Sequence, residues 1–311
     1  MCAGKSFRLS ANNHGFIIIP VLISVTLLLT AALAFAWYAR TEIQRTEAEK
    51  NIIEARNVAE IACSLIAEKI AADKNGYDSR TEPLYRNGDA VRIIIGDYEV
   101  RADIVPLDDK IPVKGIFLPD GVTIRQEYAY AWDRIWKYVG LPVLSNVALD
   151  FMDKDNSQKL GGAERTININ RPVSDITELK IIPEISDETL NGTKEAPGGL
   201  NKYLTVYGND KININTAAPE VIALLDERID PANAELLAAA RNRHPIKNLD
   251  DLKRIQGFPN STVAKIANIL GFESNYFCLN MKIIKNAARE RNFRVILQRN
   301  GDSCKIARWE E

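Results

Sequence analysis

Asp150, Asp153 and Asp155, followed by Asn156, Ser157 and Glu164, gather oxygen donors within one short stretch, ALDFMDKDNSQKLGGAE (148 to 164). Carboxylate and amide oxygens grouped in this way suit a hard cation such as calcium. The spacing is not that of an EF-hand loop, because no glycine stands at its sixth position. A solvated acidic turn after a helix is the competing reading. Asp150, Asp153, Asp155 and Glu164 are the candidate metal ligands, and calcium is the candidate ion.

Little else in the chain is equipped for chemistry. The two histidines are His14 and His244, and Cys2, Cys63, Cys278 and Cys304 never form a C-x-x-C pair, which argues against zinc. No nucleophile elbow, dinucleotide fingerprint or phosphate loop occurs, so no enzymatic activity is expected. Asp250 and Asp251 are adjacent on a predicted helix and read as solvent-facing. Cys278 and Cys304 are near enough in sequence to be bridged in an oxidising compartment, with free thiols the preferred reading. A formal net charge of -1 gives no global attraction to nucleic acid.

The elements that must carry these residues begin with an apolar segment. From Phe16 to Ala39 no residue is charged, and as a helix this stretch would span roughly 36 Å, enough to cross a bilayer core. Lys5 and Arg8 precede it, which places the N-terminus in the cytoplasm and exports the remainder. A cleaved signal peptide is the alternative, since Ala34-Phe35-Ala36 offers a small-x-small site that would leave Trp37 first. Against it, the apolar run exceeds a signal core, and helical periodicity continues: Ile43, Ile52, Ala55, Ala59, Ala62, Ile66 and Ile70 mark one face. Neither glycine nor proline occurs from Val21 to Asn75, and Gly76 can end the helix.

The head combines two patterns. VRIIIGDYEVRADIV (91 to 105) predicts a hairpin around Gly96-Asp97. Residues 277 to 285 and 292 to 299 predict closing strands, with CKIARW (304 to 309) a third. Between them lie predicted helices. Tyr128, Trp132, Ile135 and Trp136 share one side of 124 to 139, stopped by Gly140. Ser174 or Asp175, the latter with Glu178 as capping-box partner, Asp230-Pro231, Asn248, and Asn260 or Ser261 are predicted starts. The large aromatics read as core rather than substrate contacts. The fold class is α+β: a long N-terminal transmembrane and amphipathic helix plus a small antiparallel sheet, with a large inserted all-helical domain.

The opening stretch resembles a type IV prepilin, with a short basic leader ending in Gly15 and Phe16 opening a hydrophobic helix. The resemblance implies that a prepilin peptidase cuts between Gly15 and Phe16, N-methylates Phe16, and leaves the helix in place. In that family the fifth mature residue is usually a glutamate that neutralises a neighbouring subunit's amine. Here it is Pro20, tolerated in a first turn but unable to neutralise anything, which suits a filament end better than its shaft. Leu28, Leu29, Ala32 and Ile43, with Pro20, are the expected assembly contacts with partner helices.

ALDFMDKDNSQKLGGAE and KYLTVYGNDKININTAAPEVIALL (202 to 225) resemble segments of the general secretion pathway protein K family, minor pseudopilins of type II secretion systems. Phe151 stands where the family has tryptophan, Ala218 replaces one proline, and DKIPV (109 to 113) departs from the expected strand. The resemblance implies a leader (1 to 15), a transmembrane half-helix (16 to 39) and an amphipathic half (40 to 75). It further implies a first part of the sheet (76 to 117), an inserted domain of the SAM or helix-hairpin-helix kind (118 to 271) and closing strands (272 to 311). It also implies partners: I- and J-class minor pseudopilins, the major pseudopilin, the inner-membrane secretion platform and the prepilin peptidase. The expected location is the bacterial inner membrane, single-pass with a cytoplasmic N-terminus and periplasmic head, and then the pseudopilus tip.

The rival reading, a membrane-anchored DNA-binding protein, comes from the helix-hairpin-helix character of ININTAAPEVIALL and IKNLDDLKRIQGF. Its turns argue against it, since DERIDP is acidic and lacks glycine, and Pro259 in GFPN removes a phosphate-binding N-H. Arg241, Arg243, Lys247, Lys253, Arg254 and Lys265 are read as a solvated basic face, so nucleic acid is not an expected partner.

Overall fold

The computed structural model describes residues 14 to 85, 91 to 194, 197 to 208, 210 to 285 and 289 to 310. The leader up to residue 13 and the side chains of Gly15 and Phe16 lie outside the described residues, and the predicted cleavage falls there. The chain divides into two compact units, Met1–Asn57 and Val58–Glu311.

Helix α1 (His14–Ala72) opens in the first unit and is long and apolar enough to cross a membrane. Pro20, Leu28, Leu29, Ala32 and Ile43 are all exposed. Its few hydroxyls bond back to their own helix, Ser24 Oγ to the Pro20 carbonyl at 2.8 Å, Thr26 to Ile23 at 2.8 Å and Thr30 to Leu27 at 2.9 Å. That satisfies them without water, as a helix in lipid requires. Because α1 starts at His14, Pro20 lies in its second turn in the uncut chain, where its missing N-H leaves the Phe16 carbonyl without a helical donor.

In the second unit, α1 continues with Ala59, Ala62, Ile66 and Ile70 buried, as the predicted stripe requires, whereas Ile43 and Ile52 are exposed. The helix stops at Ala72, short of Gly76. Side chains take over the turn: Asp73 Oδ1 accepts from Asn75 N at 3.3 Å and Asn75 Oδ1 from Tyr77 N at 3.0 Å.

Strands β1 (Val91–Ile95) and β2 (Tyr98–Pro106) form the predicted hairpin, with Gly96 in its turn at φ 57°. β3 (Ile111–Pro112) follows. The departing segment DKIPV is therefore a short strand, and it pairs in parallel with β4 (Leu204–Thr205). β5 (Ile212–Asn213) pairs in parallel with β6 (Leu270–Gly271). β7 (Tyr276–Lys285), β8 (Arg289–Asn300) and β9 (Ser303–Glu310) complete an antiparallel sheet of order β1-β2-β7-β8-β9. The middle pair, Val100 opposite Ile283 and Ala102 opposite Met281, joins strands separated by the whole helical lobe.

That lobe contains α2 (Gln126–Tyr138), α3 (Leu144–Met152), α4 (Asp187–Asn191), α5 (Pro219–Ile222), α6 (Pro231–Arg243), α7 (Leu249–Lys253) and α8 (Asn260–Ile266). Its core draws on residues from Ile111 to Leu270. Trp132 and Trp136 sit at its centre, edge to face at 5.7 Å, with Trp132 Nε1 donating to the Ser145 carbonyl at 3.0 Å. Tyr128 is also fully buried, and its hydroxyl donates to the Asp210 carbonyl. The aromatics of α2 are core, as their spacing predicts.

Asp230 and Asn248 cap their helices as expected. Two starts differ. Asp175 opens a 3-10 turn, Ile176–Ile181, and Glu178 bonds Arg171 at 3.0 Å instead of closing a box on Asp175. At α8 the cap is Pro259, and Ser261 instead accepts Arg228 Nη1 at 3.0 Å. In both, a nearby arginine competes for the oxygen with a charge-assisted bond.

A buried polar joint fastens the lobe to the sheet. Asp78 accepts both guanidinium nitrogens of Arg299, and Ser274 N at 2.5 Å. Arg299 also donates to the Ser274 carbonyl at 2.7 Å and stacks over Phe277 at 5.3 Å. Asn213 Nδ2 donates to the Asp78 carbonyl at 3.0 Å and to Ser274 Oγ at 2.8 Å. Asp108 Oδ2 accepts Asn275 N and Tyr276 N, each at 2.8 Å. The segment that follows α1 (78), the one that enters the lobe (108) and the one that leaves it (274 to 276) thus meet at one place. Burial works against the Arg299 charge, but the Asp78 carboxylate outweighs it and raises the guanidinium pKa. Burial pushes the Asp108 carboxyl up to about 7, against the two backbone donors.

Candidate metal centre

Helix α3 delivers the acidic residues. Its buried face, Leu144 to Met152, ends with Asp153 as C-cap, after which the chain turns back on itself. Donor oxygens of Asp153, Asp155 and Glu164 lie within 4.8 Å of one another. Asp150 is not in that group. Its two oxygens accept Lys159 N, each at 3.2 Å, which braces the loop.

Lys159 Nζ pairs with Asp153 and lies 3.6 Å from Asp150. Burial pulls the Asp153 carboxyl up, opposed by Lys159 and reinforced by Asp155 and Asp150. Glu164 Oε2 accepts Asn168 Nδ2 at 2.9 Å. Asp153 Oδ1, Glu164 Oε1 and Asn170 Oδ1 are buried with no hydrogen-bond partner among the described residues. Orphaned oxygens of this kind are costly, and Asp153 Oδ1 and Glu164 Oε1 belong to carboxylates already close together. The donor set is all oxygen, which fits a hard divalent cation.

Gly162 shows why the loop reads GGAE. A Cβ there would collide with the Asp150 carboxylate and come 3.1 Å from the Asn146 carbonyl. Gly162→Ala is therefore expected to displace Asp150 and cost about 2 kcal/mol in a denaturant unfolding series.

The region of α5 to α8 is ordered by residues that periodicity does not reveal. Asn215 receives Ile246 N at 2.8 Å and donates to the Ile246 carbonyl at 2.8 Å. Asp226 is fully buried; Oδ1 accepts Arg228 N and Nε, each at 3.0 Å, and Oδ2 pairs with Lys265 at 2.7 Å. Burial opposes its charge, yet Arg228 and Lys265 hold this carboxyl well below the usual range. The signal available in the sequence is the alternation I-N-I-N, in which polar residues recur where a short buried strand places them.

Several basic residues of this region have internal partners. Arg241 is buried and donates to the Ile214 carbonyl, Lys253 pairs with Asp250 at 3.0 Å and Arg254 with Asp251 at 3.4 Å. Lys265 holds Asp226, and Lys247 lies 4.9 Å over the Tyr77 ring.

A bridge between Cys278 and Cys304, the alternative to free thiols, is not compatible with the topology. β8 lies between their strands, with Cys278 opposite Ile296 and Cys304 opposite Arg299. Two strand spacings, about 9.5 Å, exceed the reach of a disulfide.

Comparison with known proteins agrees with this architecture. Residues 212 to 272, the stretch from β5 through Phe272, match the family model described as type II secretion system (T2SS), protein K. No curated protein matches the chain. The fold is similar to that of a chain in the crystal structure of the GspK-GspI-GspJ complex from the enterotoxigenic Escherichia coli type 2 secretion system. That match has a TM-score of 0.59 at 14% identity and covers 86% of this chain and 99% of that chain. The match to the type II secretion protein K model thus lies in the inserted lobe, and the fold of apolar helix, antiparallel sheet and lobe is similar to that of the solved chain.

Proposed function

We propose that this protein caps the tip of the pseudopilus and initiates its assembly with I- and J-class minor pseudopilins, supporting secretion across the outer membrane. The observation that carries this reading is the lobe inserted between β2 and β7, which shares one joint with the sheet. A lobe of this bulk on every subunit would crowd a helical filament, whereas one copy at an end meets no such limit. The role is structural and not catalytic. In this reading the prepilin peptidase cuts between Gly15 and Phe16, and α1 anchors the chain in the inner membrane with the head periplasmic. From there α1 joins partner helices through Leu28, Leu29, Ala32 and Ile43, and the secretion platform and major pseudopilin extend the filament beneath.

Two measurements test this. Protein purified from membranes is expected to begin with N-methylated Phe16, and Trp37 as first residue would overturn it. The I- and J-class pseudopilins are expected to copurify with the chain at near-equal stoichiometry, and crosslinking that finds this chain repeated along the filament would overturn the tip assignment.

We also propose that Asp153, Asp155 and Glu164 hold calcium, which would supply positive charge to the orphaned oxygens of Asp153 and Glu164. Chelator-treated protein is expected to melt about 5 to 10 °C higher once calcium is in large excess of its Kd. Asp153→Asn should abolish the shift, and an unchanged melting temperature in the wild type sinks the metal reading.

A further inference from the structure

We propose that Cys63 and Cys304 form a disulfide that fastens the last strand of the sheet to α1. Cys63, Ala67 and Ala71 of α1 line one side of a cleft of about 490 Å³, and Ser303, Cys304 and Ile306 of β9 line the other. Cys63 is fully buried and Cys304 half-buried. Lys74, just past the end of α1, pairs with Asp302 in the turn before β9, so the two segments are already tied at one end of this cleft. Burial, reinforced by the nearby Cys304 sulfur, raises the Cys63 thiol to about 12. Burial likewise raises Cys304 to about 11.

The need for such a fastening follows from the topology. β9 is an edge strand, paired on one side to β8 with a register shift at Ile296/Leu297, and most of its side chains are exposed. An edge of this kind is the part of a sheet that opens first. A covalent link to α1 would close the second side. Cys278 does not compete, because it lies across β8 and its sulfur accepts Arg294 Nε at 3.3 Å.

The chemistry is thiol-disulfide exchange with a donor disulfide, supplied by a small-molecule or protein oxidant. The Cys304 thiolate attacks one donor sulfur and expels the other as a thiolate. The Cys63 thiolate then attacks the Cys304 sulfur of this mixed disulfide and releases the second donor thiolate. Cys63 and Cys304 lose two electrons and two protons, and the donor leaves as two thiols. High thiol pKa values make exchange slow once β9 has docked, so closure belongs to folding. In the cell the bond rests on the exported head proposed above.

The test uses full-length protein in detergent, reduced, unfolded and refolded with glutathione disulfide, then alkylated and mapped by mass spectrometry. The expected product is a Cys63–Cys304 linked peptide two hydrogens lighter than its parts, absent from Cys63→Ala and Cys304→Ser. Reduction is expected to lower Tm on the order of 10 °C in the wild type and not in Cys304→Ser. Separate alkylation of both cysteines, or a link from either to another cysteine, overturns the proposal. Mapping the chain as isolated under thiol trapping separates the two readings. A bond that forms on refolding but is missing from cells leaves the pairing standing and overturns export of the head.

Discussion

Asp78→Ala is expected to destabilise the chain by about 4 kcal/mol in urea unfolding at neutral pH. The alanine removes the carboxylate that faces both nitrogens of Arg299 and leaves that arginine, 6% exposed, without its counter-charge. It also frees Ser274 N, a buried donor. Arg299→Ala should approach the same loss from the other side, since Asp78 is fully buried. The paired replacement Asp78→Leu with Arg299→Met is expected to recover most of the stability, because exchanging a buried ion pair for apolar side chains removes the desolvation cost together with the attraction. If the single and paired replacements lost equal amounts, the joint would owe its strength to packing and not to this pair.

Asp226→Ala is expected to cost about 3 kcal/mol, less than Asp78 because Arg228 and Lys265 keep 43% and 48% of their side chains in water. Its pH dependence carries a definite sign. The folded pKa of Asp226 lies below its ordinary value of 3.8, so its contribution is fully present above that value and is lost as pH falls through the folded pKa. The gap in unfolding free energy between wild type and Asp226→Asn should therefore be constant from about pH 5 to 8 and shrink below about pH 4. A gap that stayed constant to the acid limit would show that the carboxylate charge is not what holds α8 to the turn after α5.

Much of this arrangement is legible from residue types. The apolar helix and its buried stripe follow from spacing, the hairpin from Gly96-Asp97, and the core role of Trp132 and Trp136 from their helical interval. The grouping of Asp153, Asp155 and Glu164 is legible too, since a short loop confines them. Asp150 is not separable from them by spacing, which does not say which carboxylates are turned toward backbone N-H groups. The joint is hardly legible. Asp78, Asn213, Ser274 and Arg299 are far apart in the chain, and apart from Asn213 in the I-N-I-N alternation none stands in a local pattern that distinguishes it from a surface residue. Cysteine proximity misleads for the same reason: Cys278 and Cys304 are close along the chain, but the strand order separates them, whereas Cys63 is distant in sequence and near Cys304 in space.

Placing the helical lobe between two neighbouring strands also dictates an order of folding. When β2 is made its outer neighbour β1 is already present, but β7 is still more than 150 residues away. The inner edge of β2, with Val100, Ala102 and Ile104 uncovered, must wait through synthesis of the lobe. Pairing across so long an interval is slow, and an unfilled edge is open to strands of other molecules. The lobe shortens that delay once it folds, because its own packing brings Asp108 and Tyr276 side by side and delivers β7 to the vacant edge.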